Sequence, residues 1–328
     1  MYISKLIVFF SALYSTFSVA QSCCSGGSGS PIAGGASQGV LVKHQLELSG
    51  NYQYFGSGKF QTGTQDTSAL LDYLFSNYLY GRVAFGLTKE LTMSVESGYY
   101  INKTEYALHK RDTISSKGIG DLILFPRYNV FTNCGEKGNT ELTLGLGYKI
   151  PLGSYNDSFA VYQNPVTLKK YYTAAPPTVQ PTTGAQDIIF YGFFMQTVSK
   201  YDLKFFTNAI YIKKGWNPLG QKFGNYANVG LFVSRSFWNK LGVTLQLRGE
   251  WIDKMKYDKN IDMLALYNID VNSTGCKKIF FVPQLNYTYK SLTIYALYEY
   301  PLYQKVNRVQ IVSDVQFTSG LAYRFNFD

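Results

Sequence analysis

The chain has 328 residues, a formal net charge of +10, 17% aromatic residues and 16% charged ones, against about a quarter charged in an average soluble protein. Beyond Ala20 no apolar run of ~20 residues exists, which excludes a membrane-spanning helix. The 4 cysteines are too scattered for a disulfide scaffold and show no zinc spacing, and the basic excess carries no nucleic-acid-binding motif.

Lys5, the apolar run 6–10 and the small residues Ser18, Val19 and Ala20 read as a secretory signal peptide over 1–20. Cys23 lacks, three positions upstream, the large aliphatic residue that lipidation calls for. Residues 21–39, QSCCSGGSGSPIAGGASQG, are rich in Gly and Ser without periodicity. They are expected to form a flexible lead-in, as a periplasmic tail in preference to a plug folded inward.

From 40 to 328 the pattern is that of strands in pairs. Val42, His44, Leu46, Leu48, Tyr52 and Tyr54 alternate with Gln45, Glu47, Ser49, Asn51 and Gln53, the two-residue period of a pleated strand. A Gly/Thr-rich loop follows, and SALLDYLF before the next strand has the look of a short helix. A strand over 77–87 turns at Thr88, Lys89 and Glu90 into one carrying Leu91, Met93, Val95 and Tyr99 on one face. A charged loop, 102–117, leads to GIGDLILFPRYNVF, and a turn near Cys134 to ELTLGLGYKIPLG. The longest loop, 154–184, carries Pro176, Pro177 and Pro181. The design repeats in QDIIFYGFFMQTV, LKFFTNAIYI, NYANVGLFVSRSF and LGVTLQLRGEW. A second long loop, 253–276, precedes KIFFVPQLNYTY, LTIYALYEYPL and the terminal QFTSGLAYRFNF.

About twelve strands, joined by alternately short and long connections, fit an all-β, transmembrane, antiparallel up-and-down β-barrel of the outer membrane. Its apolar bands are roughly ten residues long, enough for a tilted strand to cross a bilayer. Closure leaves no unpaired edge in lipid. Parity then places Glu47, Arg82, Glu96, Asp121, Arg127, Lys149, Asp187, Arg248, Glu250, Glu299 and Arg324 in the lumen. The turn at Lys89 sets Arg82 opposite Glu96, and the turn near Cys134 brings Asp121 close to Lys149. Such charges either pair to hold the barrel's shape or line a selective path. Arg235 has outward parity near a periplasmic turn and is expected to snorkel to the interface.

The outer loops are read as basic: Lys103, Lys110, Arg111 and Lys117; Lys213, Lys214 and Lys222; Lys305 and Arg308. Anionic phosphates of surface lipids are the favoured partner, over a funnel for anionic solutes. Trp216, Tyr226 and Trp251 at outer ends, and Phe131, Trp238 and Tyr289 at periplasmic ends, read as aromatic girdles. Cys276 is expected outside and Cys134 in the periplasm, within reach of Cys23 and Cys24 for a disulfide. The 154–184 loop is expected to restrict the pore as a lid. Its prolines stiffen it, Tyr162, Tyr171 and Tyr172 pack on the barrel mouth, and Lys169 and Lys170 meet lumen carboxylates.

Thr318, Gly320, Tyr323 and Phe325 in the last strand resemble the terminal signal of bacterial outer-membrane barrels, which implies the barrel-insertion machinery as a partner. GIGDLILFPRYNVF, its echo GAQDIIFYGFF and the closing GLAYRFNF resemble outer-membrane transporters of the meta-pathway of phenol degradation. The resemblance implies passive uptake of small solutes, aromatic or apolar. A docking barrel with a closed lumen is the alternative. A lipid hydrolase would need Ser, His and an orienting group together, and the mature chain offers only His44 and His109; no enzyme and no cofactor are expected.

Overall fold

In the strand Leu241–Ile252, Leu245 and Leu247 are 48% and 46% exposed, while Gln246 and Arg248 between them are 1% and 3% exposed. A water-soluble sheet does the opposite, because burying a charge costs far more than exposing a leucine. The arrangement is stable only where hydrocarbon surrounds the outside, which makes the leucines the cheap face. The exposed apolar outer face recurs around the described wall. The computed structural model describes residues 39–107, 109, 113–135, 138–262 and 270–327. The expected signal peptide, the expected lead-in up to 38, and Lys110 and Arg111 lie outside them.

In chain order the strands are β1 (Gln45–Ser57), the hairpin β2 (Phe60–Gly63) and β3 (Gln65–Thr67), β4 (Leu71–Gly86), β5 (Leu91–Ala107), β6 (Thr113–Ile119), β7 (Asp121–Gly135) and β8 (Gly138–Pro151). There follow β9 (Ser158–Gln163), β10 (Lys170–Ala174), β11 (Asp187–Val198), β12 (Leu203–Lys213), β13 (Gln221–Lys222), β14 (Tyr226–Phe237) and β15 (Leu241–Ile252). The last are β16 (Lys256–Tyr257), β17 (Cys276–Tyr289), β18 (Leu292–Tyr298), β19 (Tyr300–Ile311) and β20 (Val315–Asn326).

A closed antiparallel barrel of 12 strands results. β6 and β7 form one wall strand interrupted at Gly120, and β18 and β19 another, interrupted at Glu299. Each strand pairs with its neighbour in sequence, and β1 pairs with β20 from Gln45↔Asn326 to Gly56↔Val315. Connections at one end are short (87–90, 136–137, 199–202, 238–240, 290–291), and the long ones (58–70, 152–186, 214–225, 253–275) gather at the other. Outer-membrane barrels keep short turns in the periplasm and long loops outside.

Three local expectations are corrected. SALLDYLF is strand and not helix from Leu71 on, because β4 pairs with β5 as far as Leu71↔Ala107 and Phe75 stacks on Tyr106 at 5.7 Å. The charged loop 102–117 is mostly wall: β5 runs to Ala107, β6 starts at Thr113, and Thr104 and Ser115 share a 2.8 Å hydroxyl contact. The 154–184 loop has regular structure of its own, the β9–β10 hairpin.

Candidate functional site

The inward face of the wall is divided into a charged part and an apolar part. On the charged part, Glu47 on β1 receives Arg82 from β4 and the Nε of Arg324 from β20 at 2.7 Å. Arg82 stands opposite Glu96 in the β4–β5 ladder, yet its guanidinium turns to Glu47. Glu96 is occupied otherwise, accepting from the Tyr80 hydroxyl at 2.6 Å and the Ser94 hydroxyl at 2.9 Å. Further round, Arg248 grips Glu299 with two N–H groups, at 3.2 and 2.6 Å, and approaches Glu250 at 3.0 Å. Two-pronged pairing of this kind fixes both side chains in orientation. Tyr226, expected in the outer girdle, faces inward and donates to Glu250 at 3.1 Å.

Near the outer end, Lys149 bridges Asp187 at 2.8 Å and Asp121 at 3.1 Å. Lys214 reaches Asp187 at 2.9 Å, and the amide of Gly215 donates to it at 3.1 Å. Burial pulls the Lys214 ammonium below its ordinary value, with Asp187 working against the shift. Lys214 and Lys103, expected among outward basic groups, therefore point into the mouth, where Lys103 donates to the carbonyl of Gln180 at 2.8 Å. Arg308 stays exposed and pairs with Asp270 at 2.8 Å.

The apolar part shares the inward parity of Arg127 and Asp187, but its extent as one cluster shows only in the fold. Phe125, Ile189, Tyr191, Phe193, Met195, Phe206, Ile210 and Phe232 form one buried cluster on the inner faces of β7, β11, β12 and β14. Phe206 and Phe232 stack at 4.5 Å, Phe125 and Tyr191 meet edge to face at 5.5 Å, and Arg127 lies over the Phe125 ring at 5.9 Å. Two inward glycines make room: a Cβ at Gly147 would lie 2.9 Å from the Phe125 ring, and one at Gly145 3.1 Å from it. In DIIFYGFFM both parities are apolar beyond Asp187, so parity with Asp187 gives the inward set but not its packing into one dry stripe.

Across the outer mouth lies the strap 175–185. Ala175 and Val179 pack against Leu74, with Phe55, Ile114 and Ile311 at the edge. Ser116 donates to the carbonyl of Val179, Lys149 to the Thr183 hydroxyl at 3.0 Å, and Asn217 to the Thr183 carbonyl at 3.0 Å. The strap is thus pinned from β5, β6, β8 and the loop after β12. Of the residues expected in the lid, Lys169, Lys170, Tyr171 and Tyr172 stand exposed on the β9–β10 hairpin, with Lys169 over the Tyr171 ring at 5.6 Å. The Tyr162 side chain lies outside the described residues. The hairpin's own pairing holds these side chains away from the mouth, and the small, proline-rich segment after them fits the gap.

At the opposite end the chain enters the barrel from within. Val40 and Leu41 are buried, the Leu41 amide donates to Thr92 at 2.7 Å, and the Val40 amide donates to Glu141. A Cβ on Gly39 would fall on the Glu141 carboxylate. Cys134 is exposed at the short-turn end, and Cys276 opens β17 at the long-loop end; Cys23 and Cys24 lie outside the described residues. Exposed Trp216 and Trp251 stand at one rim and Phe131, Trp238 and Tyr289 at the other.

No family model matches the chain, and no curated protein matches it in sequence. Among solved structures it is similar to an outer membrane channel from Pseudomonas putida F1, with TM-score 0.65 and 11% identity, covering 88% of this chain and 97% of that one. A FadL homologue from Pseudomonas aeruginosa aligns at TM-score 0.45 and 7% identity over 93% of this chain and 96% of that one. The toluene transporter TodX of P. putida aligns at 0.40 and 8% over 88% and 91%. The likeness to the P. putida F1 barrel is one of fold, and together with the inside-out wall it makes this chain a 12-stranded outer-membrane β-barrel.

Proposed function

We propose that the barrel is a passive outer-membrane channel for small solutes, with uncharged aromatic or apolar ones favoured. The observation that carries this reading is the inward apolar stripe of Phe125, Tyr191, Phe193, Phe206 and Phe232. These rings pack on one another in the closed barrel, and displacement of the strap would be needed to open their apolar faces to a ring-shaped solute. The motif resemblance to phenol meta-pathway transporters supports the same solute class. The charged part across the lumen then serves as a fixed, self-neutralised frame, and the strap 175–185 as the restriction to be moved. Exposed cations at the outer rim, Lys213 and Arg308 among them, are proposed to meet the phosphates of surface lipids.

A second reading, a docking barrel with a closed lumen, is favoured by the packing itself: Phe193, Arg127 and Glu47 are all but inaccessible. Catalysis gains no support, since His44 precedes β1 at one end of the barrel and His109 lies between β5 and β6 at the other. Vesicle uptake separates the first two readings. Protein-containing liposomes are expected to admit a small phenol faster than a sugar of equal size, and deletion of 176–182 is expected to raise both fluxes. No flux of either solute, with or without the strap, would leave the docking barrel.

A further inference from the structure

The periplasmic rim carries an arrangement that transport does not use. The turn 238–240 is clamped beside the end of β17: the Lys240 amide donates to Phe237 at 3.1 Å, and the Lys240 carbonyl accepts from Thr288 at 2.8 Å. This fixes Lys240 on one side of the Tyr289 ring, its ammonium 6.0 Å from the centroid, while Lys290 lies 5.5 Å from the same centroid. Two like charges are thus gathered on one ring. Neither 235–249 nor 276–298 contains an Asp or Glu to offset them. A few residues up the wall, Arg235 faces outward over the ring of Phe237 at 5.3 Å. Trp238 beside it is 82% exposed.

Uncompensated cations held together repel one another, and the repulsion is relieved when an anion sits between them. The rings beneath hold the cations in place without neutralising them. An indole so exposed is stable where headgroups meet acyl chains and would be wasteful in bulk water. The short-turn end of an outer-membrane barrel lies at the periplasmic, inner leaflet. Arg235 looks toward lipid and offers a planar fork suited to phosphate oxygens, and the two lysines add point charges.

We propose that this rim binds the phosphate of an anionic phospholipid headgroup of the inner leaflet between Lys240 and Lys290, with Arg235 flanking it higher on the lipid-facing wall and Trp238 against the glycerol region. The site is independent of the solute path and would tie the barrel's β14–β18 side to anionic lipid.

With Trp216→Phe and Trp251→Phe, Trp238 remains as the sole indole of the chain's 3, a reporter inside the site. The protein is placed in phosphatidylcholine bilayers holding a small share of brominated phosphatidylglycerol or of brominated phosphatidylcholine. Trp238 quenching is expected to show at least about a fivefold preference for the anionic lipid per engaged lysine. Lys240→Gln with Lys290→Gln is expected to bring the preference close to one, and Lys240→Arg with Lys290→Arg to keep it. Compact migration in dodecyl sulfate checks that each variant is folded, and Lys290→Gln alone replaces a double variant that is not. Equal quenching by both lipids, or a preference that survives the double glutamine change, overturns the proposal. So does loss of the preference on adding millimolar inorganic phosphate, which would mark a site for soluble anions.

Discussion

Glu47→Ala tests whether the charged frame is as dry as its geometry implies. The carboxylate is 0% exposed, its partner Arg82 is 1% exposed, and Arg324 is 27% exposed. Removing Glu47 leaves Arg82 with a long 3.4 Å contact to Ser49 and a terminal nitrogen that has no hydrogen bond. Orphaning one member of a fully buried pair costs about 3–5 kcal/mol. The loss at Arg324 adds little, because water reaches that end and screens it. At about 1.4 kcal/mol per decade, the ratio of folded to unfolded barrel should fall by roughly two to four orders of magnitude. Urea unfolding in lipid vesicles, followed by tryptophan fluorescence, reads the shift. Glu47→Leu with Arg82→Met should recover much of it, since apolar replacement of a whole buried pair is often neutral. A Glu47→Ala barrel within about 0.5 kcal/mol of the unchanged protein, the scale of a surface substitution, would refute the reasoning. The lumen would then be wet enough to screen its charges.

Leu247→Arg, on the lipid face, should cost about 2–4 kcal/mol in the same urea assay, while Gln246→Leu, one residue away and inward, should cost far less. Gly147→Val should lower stability by about 1–3 kcal/mol through the Phe125 ring, and phenol uptake should change with it in vesicles. Lys103→Met leaves the Gln180 carbonyl without its donor and should raise sugar flux while changing the free energy of unfolding in urea by no more than about 1 kcal/mol. The Asp270 carboxyl is held below its ordinary value by the Ser273 hydroxyl, the Asn272 amide and Arg308. A depressed carboxyl loses its anchoring effect only as the pH falls through its lowered value. Pepsin cleavage of the 253–275 loop should therefore stay slow at the ordinary carboxylate pKa and accelerate only in stronger acid, and Arg308→Gln should move that onset upward.

Strands whose two parities differ in polarity could be read from sequence down to the residue. In LGVTLQLRGEW, Gln246 and Arg248 can face only one way, so the inside of the barrel at β15 was legible. In DIIFYGFFM only Asp187 marks which parity faces inward, and that Tyr191 and Phe193 meet the rings of β7, β12 and β14 in one cluster depends on pairing with β8 and β12. Partner choice was equally hidden. The Lys89 turn sets Arg82 across from Glu96, but the selection of Glu47 depends on β1, closed by a contact from the far end of the chain. At the mouth, the conspicuous Tyr171 and Lys170 suggested a lid, whereas the segment that fits is Ala175 to Thr183, small residues whose value lies in shape. The charges of 102–117 point to solvent, while β4 and β5 run taller than the bilayer requires.

The β1–β20 ladder has a consequence for how the molecule comes into being. Its outermost rung joins residues 281 positions apart, Gln45 and Asn326, and drawing together ends so distant costs about 5 kcal/mol in chain entropy. That cost is recovered only when twelve rungs form together, Glu47 with Arg324 among them. A nascent chain halted before Val315 possesses every other hairpin, yet it presents two raw strand edges to its surroundings, each a template for wrong pairing. Completion and edge removal are one event, so the seam acts as a gauge of length: a chain with β20 seals itself, and one without it stays adhesive and visible to proteases.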